Sequence, residues 1–489
     1  MGLYSVYPMG TTIYDPEKAW NGYTLMQCQG IGAILVDMNG NVVKCWKGVQ
    51  GFPNKLLPGG YLMGSLGLRD PKFGYQDQTD LVQVDWDGKV VWKFDKKELV
   101  DDDGDKRWIA RQHHDFQREG NPVGYYVPGM ECKTDSGNTL ILCHEDVYNK
   151  RISEHRLLDD VFIEVDWDGN IVWEWHANKH FAELGFDEIA KNVLARNPNN
   201  HENGGGQGDW LHINSMSVLG PNKWYDAGDE RFNPENIIWD AREANILAII
   251  SKKTGKIVWQ IGPDFTKSKE LRIMGQIIGQ HHCHMIPKGL PGEGNILVFD
   301  NGGWAGYGMP SRTSRDGTKA DIRDHSRIIE FDPVTLEVVW EFKGLAFGGM
   351  LGLVANSKFY SPLISSAQRL PNGNTLITEG CYMRMFEVTP DKEVVWEFIA
   401  PFKNMREMVY RAYRYPYDYV PQVEKPVETP VKRLDCHDFR VPGASDSEIR
   451  EMTEVEGTLG YNFKIDACVT DGQVSRIVAM SFCEPRSCS

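Results

Sequence analysis

Residues 81–95 read LVQVDWDGKVVWKFD, and residues 162–176 read FIEVDWDGNIVWEWH. Each has an apolar run, an Asp-Gly turn and a β-branched run that ends in aromatics. Asp-Gly between two such runs marks a β-hairpin, because glycine adopts the positive φ of a tight turn without a Cβ clash. Four further copies follow the same plan: ILVDMNGNVVKCWKG from Ile34, LAIISKKTGKIVWQIG from Leu247, IIEFDPVTLEVVWEFKG from Ile328 and MFEVTPDKEVVWEFIAP from Met385. The recurring tryptophan places a large apolar wedge at a fixed point in every unit.

A second element recurs between the hairpins: GNTLILC from Gly137, GNILVFDNG from Gly294, GNTLITEG from Gly373 and, shorter, KLLPGGYLMGS from Lys55. It reads as a turn followed by an inner strand. A hairpin plus inner strands makes about four strands per unit, the content of a propeller blade. Six copies predict an all-β, six-bladed β-propeller over residues 1–420, in preference to a sandwich. Residues 177–209 read as an insertion, a short helix and then a Gly-rich loop. Residues 421–489, entered through a Tyr/Arg-rich and then Pro/Val-rich run, read as a C-terminal strap and extension.

The 13 histidines are unevenly placed. Two stand in RQHHDFQREG (111–120) and three in GQHHCHMIPKG (279–289). Aligned on the repeat, His114 falls on His281, Gln117 on His284, and Gln368 of SSAQRLPNG on His284. DWLHINS (209–215) brings His212 to within two residues of the same place. Histidines entering successive blades at one level surround one channel mouth, where they can act as acid, base, nucleophile or metal ligand. His282 and His284 share a strand face, which makes them a ligand pair. Because adjacent residues on a strand point to opposite faces, His114 is expected at the axis with His113 packed or hydrogen-bonded behind it. For HHCH, either His281 alone or His282 with His284 faces inward. Asp115 and Asp209 are candidates to orient a ring. Asn301, Arg384, Trp304, Tyr382 and Gln368 are further candidates for contact with a substrate. Arg111, Gln112, Arg118 and Arg369 read as inter-blade hydrogen-bonders. The lone histidines His144, His155, His176, His180, His201 and His325 read as structural, and His437 in DCHDFRVPG stays undecided.

Composition narrows the partners. With 41% hydrophobic and 11% aromatic residues the chain builds a core. A net charge of −15 without a basic cluster argues against nucleic acid and anionic membrane. No signal peptide and no apolar stretch of membrane-spanning length is visible, so a cytoplasmic protein with reduced cysteines is expected. In a processed secreted form Cys483 and Cys488 would be able to pair. Homo-oligomerisation is left open.

The segments GTTIYDPEKAWNGYTL, DWLHINS and GQHH with ILVFDNG, together with the six tryptophan-ended repeats, resemble the arylsulfotransferase (aryl-sulfate sulfotransferase) family. The resemblance covers most of residues 5–420. It implies a six-bladed propeller and transfer of a sulfuryl group from an aryl sulfate to a phenol, through a sulfated histidine and without 3′-phosphoadenosine-5′-phosphosulfate. It also implies that His212 and His281 bind the sulfuryl group. Three features depart from the family. The strand of the sulfate-accepting histidine reads GCYMRMFEV, with Arg384 or a neighbour at the matching position. No arginine follows closely on the DNG turn. The export signal of known members is missing.

Three functions are therefore expected. The first is sulfuryl transfer or aryl-sulfate hydrolysis on a small aromatic or anionic substrate, with His114, His212, His281 and Arg384. The second is a metal-dependent lyase, hydrolase or oxygenase, with a divalent transition metal held by a subset of His114, His212, His281, His282 and His284. The third is a non-catalytic binding scaffold.

Overall fold

A computed structural model describes residues 9–200, 207–343, 359–402 and 408–433. His201, His437, Cys483 and Cys488 lie outside the described residues. Six antiparallel sheets of at least four strands form the six blades of a propeller. The six hairpins recognised in the sequence are the third and fourth strands, counted from the axis, of the six blades. Leu81–Val84 with Val90–Phe94 belongs to blade 2, and Leu157–Val165 with Ile171–His176 to blade 3. Gly88 and Gly169 have φ of 86°, as the Asp-Gly turns require.

The repeated tryptophan links each blade to the next. Trp46 Nε1 donates to Asp85 O, Trp92 to Trp167 O, Trp173 to Lys252 O, Trp259 to Pro333 O, Trp340 to Pro390 O and Trp396 to Met38 O. Every acceptor lies in the hairpin turn of the following blade, and the last bond returns to the first blade. One residue type thus supplies both apolar wedge and polar tie, which explains why it recurs in all six copies.

The GNTLILC-type segments are the second strands of their blades, at Thr139–Val147, Ile296–Asp300 and Thr375–Glu379, and not the innermost. The innermost strands are Lys55–Leu57, Gln112–Arg118, Ile213–Val218, His281–Met285 and Ser366–Arg369 in blades 2 to 6. The histidine runs therefore lie on the strands that line the axis.

Segments from both ends of the propeller close the ring. Ala412–Tyr415, within the Tyr/Arg-rich run, is the innermost strand of blade 1 and pairs with Tyr23–Cys28. Gly10–Tyr14 adds a fifth, outermost strand to blade 6. Gln368 clasps blade 6 to blade 1: its Nε2 donates to Arg414 O at 2.8 Å, and its Oε1 accepts from Arg414 N at 2.7 Å. The 177–209 segment contains a 3-10 helix, Ala177–Glu183, and an α-helix, Glu188–Arg196, capped by Asp187 Oδ1 on Ala190 N. Among the described residues, no helix is long and apolar enough to cross a membrane.

Candidate active site

Strand alternation fails at the axial histidines. The ladder between the first two strands skips between Gln112 and Phe116 in blade 3, between Ile213 and Ser215 in blade 4, and between His281 and His284 in blade 5. His114, His212 and His282 stand at or beside these irregularities with φ of 52°, 51° and 54°. A non-glycine residue in the left-handed region costs roughly 1–3 kcal/mol, and such residues cluster at functional sites. Each bulge re-aims the side chains around it. In blade 3, His114 lines the cavity and His113 lies behind it, Nδ1 to Nδ1 at 2.7 Å and stacked on His144.

The result is a cavity of about 170 Å³ lined by one histidine from each of blades 3, 4 and 5: His114, His212 and His281. Each ring is held from behind. His212 Nδ1 donates to Asp209 Oδ2, and His281 Nδ1 donates to Asn301 Oδ1 at 2.7 Å. His281 Nε2 is already an acceptor, for the Ile364 N–H at 3.2 Å. His114 and His212 meet edge to face, centroids 4.5 Å apart. Burial, and then the neighbouring His212 and His113, holds His114 well below the usual imidazole range. Burial and then Arg242 does the same to His281. Burial alone would raise the Asp209 carboxyl, but the facing His212 keeps it low. His212 is thus the pocket histidine backed by a carboxylate.

Arg242 and Lys319 bring positive charge to the lining, with Glu243 between them. Lys319 Nζ stands 3.9 Å from Glu243 Oε1, and Arg242 Nη1 donates to the same oxygen. Phe52, Tyr75 and Tyr410 supply aromatic walls. Under the cavity, Asp115 orients no ring. It neutralises two buried cations, accepting from Lys55 Nζ at 2.6 Å and from Arg411 Nη1 at 2.8 Å. It thereby ties blades 2 and 3 to the strand that closes the ring.

Several expected residues lie elsewhere. Arg384 is absent from the lining because Glu379 and Glu397 hold its guanidinium, at 3.0 and 2.6 Å. Trp304 and Tyr382 are 48% and 46% exposed and form no wall of the cavity. Gln368 serves the blade junction, and Asn301 acts through His281. His282 and His284 sit outside the lining beside Tyr413 and Tyr125. His284 Nε2 is 2.9 Å from Tyr125 Oη, and His282 Nδ1 donates to Ala367 O at 2.9 Å. Of the five histidines among which a metal-holding subset was expected, His114, His212 and His281 share the cavity, and His282 and His284 lie apart from it. Among the described residues, the group of ligating side chains that does meet is His113, His144 and Asp160. Sequence reasoning missed Arg242 and Glu243, in the turn after the second strand of blade 4 (Ile237–Ala241), and Lys319, on an inserted strand (Thr318–Asp321). Tyr410 was within reach, since it sits in the Tyr/Arg-rich run.

The chain is thus a six-bladed propeller with imidazoles, an Asp–His pair and two cations at one axial cavity. The arylsulfotransferase (ASST) family model matches residues 130–412, more than half of the 489 residues, and the chain belongs to that family. No curated protein matches the sequence. Among solved structures, the chain is similar to a protein of unknown function from Bacteroides caccae (10% identity, TM-score 0.40, 81% of this chain and 98% of that one). It is also similar to virginiamycin B lyase from Staphylococcus aureus (9%, 0.35, 81% and 85%). These likenesses are too distant to bear on the chemistry.

Proposed function

We propose that the protein transfers a sulfuryl group from an aryl sulfate to a phenolic acceptor, with His212 as the group that carries it. The single observation that supports this best is the buried Asp209–His212 pair at the cavity, with His114 in edge-to-face contact. A carboxylate on Nδ1 fixes the proton there and leaves the Nε2 lone pair for attack. Attack on sulfur forms the N–S bond, breaks the S–O(aryl) bond and releases the aryl oxide with the bonding pair. Asp209 balances the positive charge of the N-sulfo ring. In the second half, the acceptor oxygen attacks sulfur, its proton passes to Glu243 and on to water, and His212 regains its lone pair. Arg242, Lys319 and the N–H of His114 stabilise the equatorial sulfuryl oxygens, where charge gathers in a loose transition state. Phe52, Tyr75 and Tyr410 bracket the aromatic ring. On this reading His212 takes the place of the absent family histidine, and Arg384 has no part.

The test is turnover of 4-nitrophenyl sulfate with phenol, combined with mass spectrometry of the protein quenched after mixing with donor alone. An 80-Da adduct on the peptide containing His212 is expected, since a sulfuryl group adds about that mass. Full activity in His212→Ala, or an adduct on another residue, overturns the assignment.

A further inference from the structure

Behind His114 lies a polar cluster that the chemistry above leaves unused. The ladder of blade 3 is unpaired between Gln112 and Phe116, and His114 sits in that break at φ 52°. The break lets two consecutive rings meet edge on: His113 Nδ1 and His114 Nδ1 are 2.7 Å apart, with ring planes at 86° and centroids 5.0 Å apart. That separation is two ring radii plus the contact, so both nitrogens lie on the line between the rings. On its face His113 carries the stacked His144, whose Nδ1 donates to Asp77 Oδ1 at 2.7 Å. Asp160, on the third strand, brings Oδ1 to 3.3 Å from His113 Nε2. Rings stacked at 3.5 Å have no point in line with both Nε2 lone pairs, so His113, His144 and Asp160 are not a ligand set for one ion.

Two imidazole nitrogens at 2.7 Å share one proton. Two N–H groups would clash there, and two lone pairs would repel, so one ring donates and the other accepts. Burial, followed by the neighbouring imidazoles, holds both rings well below the usual imidazole range, so each is neutral and carries one proton. Their tautomers are therefore opposite. If His113 donates from Nδ1, the His114 proton sits on Nε2 and faces the cavity. If His114 donates from Nδ1, its Nε2 is bare.

The group facing His113 Nε2 makes the choice. That atom and Asp160 Oδ1 are buried, have no other hydrogen-bond partner and face each other. His144, His212, Arg111 and the Cys143 carbonyl also surround His113. Around Asp160 stand the Ile213 amide and three further carboxyls, Asp209, Asp159 and Asp240, and among the described residues no lysine or arginine pairs with it. Burial and then Asp209 push the Asp160 carboxyl well above its usual range, so it keeps its proton. Its Oδ2 accepts the Ile213 N–H at 3.2 Å, which leaves Oδ1 as the hydroxyl. That hydroxyl donates to His113 Nε2, and a neutral ring that accepts on Nε2 carries its proton on Nδ1.

We propose that Asp160 and His113 are positioning residues that fix the His114 proton on Nε2, where it is presented to the cavity as a hydrogen-bond donor. Neither residue lines the cavity, so both act through His114. Donation to a sulfuryl oxygen rests on the sulfuryl reading; the tautomer does not.

The experiment is long-range ¹H–¹⁵N spectroscopy of the imidazoles in full-length, ¹⁵N-histidine-labelled protein at neutral pH, with the two rings assigned through His113→Gln and His114→Gln. The expected spectrum has His113 protonated on Nδ1 and His114 on Nε2. The reverse pair, or an imidazolium at either ring, overturns the proposal. Asp160→Ala removes the donor and should divide His114 between two tautomers. It should lower kcat/KM for an aryl sulfate about twofold, in proportion to the competent fraction. Asp160→Asn should rescue both, because its carbonyl accepts the Ile213 amide and its NH2 donates to His113 Nε2. A spectrum that Asp160→Ala leaves unchanged, or that Asp160→Asn alters as much as Asp160→Ala does, overturns the role of Asp160. If circular dichroism shows Asp160→Ala unfolded, the spectra of the unmodified protein and of Asp160→Asn decide. Absence of aryl-sulfate turnover alongside the expected tautomers strikes only the sulfuryl reading.

Discussion

Blades 3 and 5 both carry a His-His pair on the innermost strand and use it in opposite order. In blade 5 the first histidine, His281, lines the cavity and the second sits beside Tyr413. In blade 3 the second, His114, lines the cavity and the first turns back into the blade against His144. The cause is where the ladder breaks. His281 still pairs in register with Phe299, whereas in blade 3 pairing stops at Gln112 and resumes at Phe116, so both histidines fall inside the irregular stretch. Identical dipeptides in equivalent blades face differently because one or two unpaired residues reset the alternation.

That contrast is broken most directly by kinetics. His212→Ala is expected to lower aryl-sulfate turnover by about 10³-fold or more, as loss of a nucleophile does. His281→Ala, whose Nε2 already accepts the Ile364 amide, should cost only about 10- to 100-fold. Equal losses would mean that the two rings are chemically equivalent after all. Next in size is the floor of the site. Asp115→Ala leaves Lys55 and Arg411 buried without their anion and should destabilise the fold by about 3–5 kcal/mol in urea denaturation.

Smaller effects sharpen the division between lining and support. Arg242→Ala should raise KM for the sulfate donor about 10-fold, while Arg384→Gln leaves kcat/KM unchanged. A matched loss in both would return Arg384 to the site. Smallest of all, Trp396→Phe removes the bond that closes the ring onto Met38 O and should cost about 1–2 kcal/mol of stability.

A pH series tests the interior of blade 4. Burial pushes the Asp240 carboxyl up to about 7, against the hydrogen bonds from Ser215 Oγ and Cys283 N that favour its anion. The folded state thus holds a proton that the unfolded chain releases near pH 4. Stability linked to this group is full below pH 4 and declines as pH rises to about 7. Asp240→Asn, which cannot ionise, should therefore gain stability relative to the unmodified chain across that window. A pH-independent difference in melting temperature would refute this.

Much of the molecule was legible because the repeat is local. Trp92 and Trp259 stand at the same step of their hairpins, and a hairpin declares itself within about 15 residues through turn chemistry and alternation. The grouping of His114, His212 and His281 was legible for the same reason, since equivalent positions in successive blades must meet at the axis. The structure corrects the depth of the histidine runs, which are the innermost strands themselves. The placements of Arg384, Trp304 and Tyr382 were not legible. For a side chain at the start of a blade's third strand, hydrophobic pattern does not say that Glu379 and Glu397, on the two flanking strands, will claim it.

The sequence by itself determined the blade count, the all-β class and the level at which the histidines enter, because each follows from short-range pattern repeated six times. Tertiary structure alone decided which histidine of each pair faces the cavity, the meeting of Arg242 and Glu243 with Lys319, and the pairing of His113 with His144. It also decided that Ala412–Tyr415 completes the first blade. These depend on left-handed bulges and on closing the ring between strands nearly 400 residues apart in sequence, and neither is encoded in any one segment.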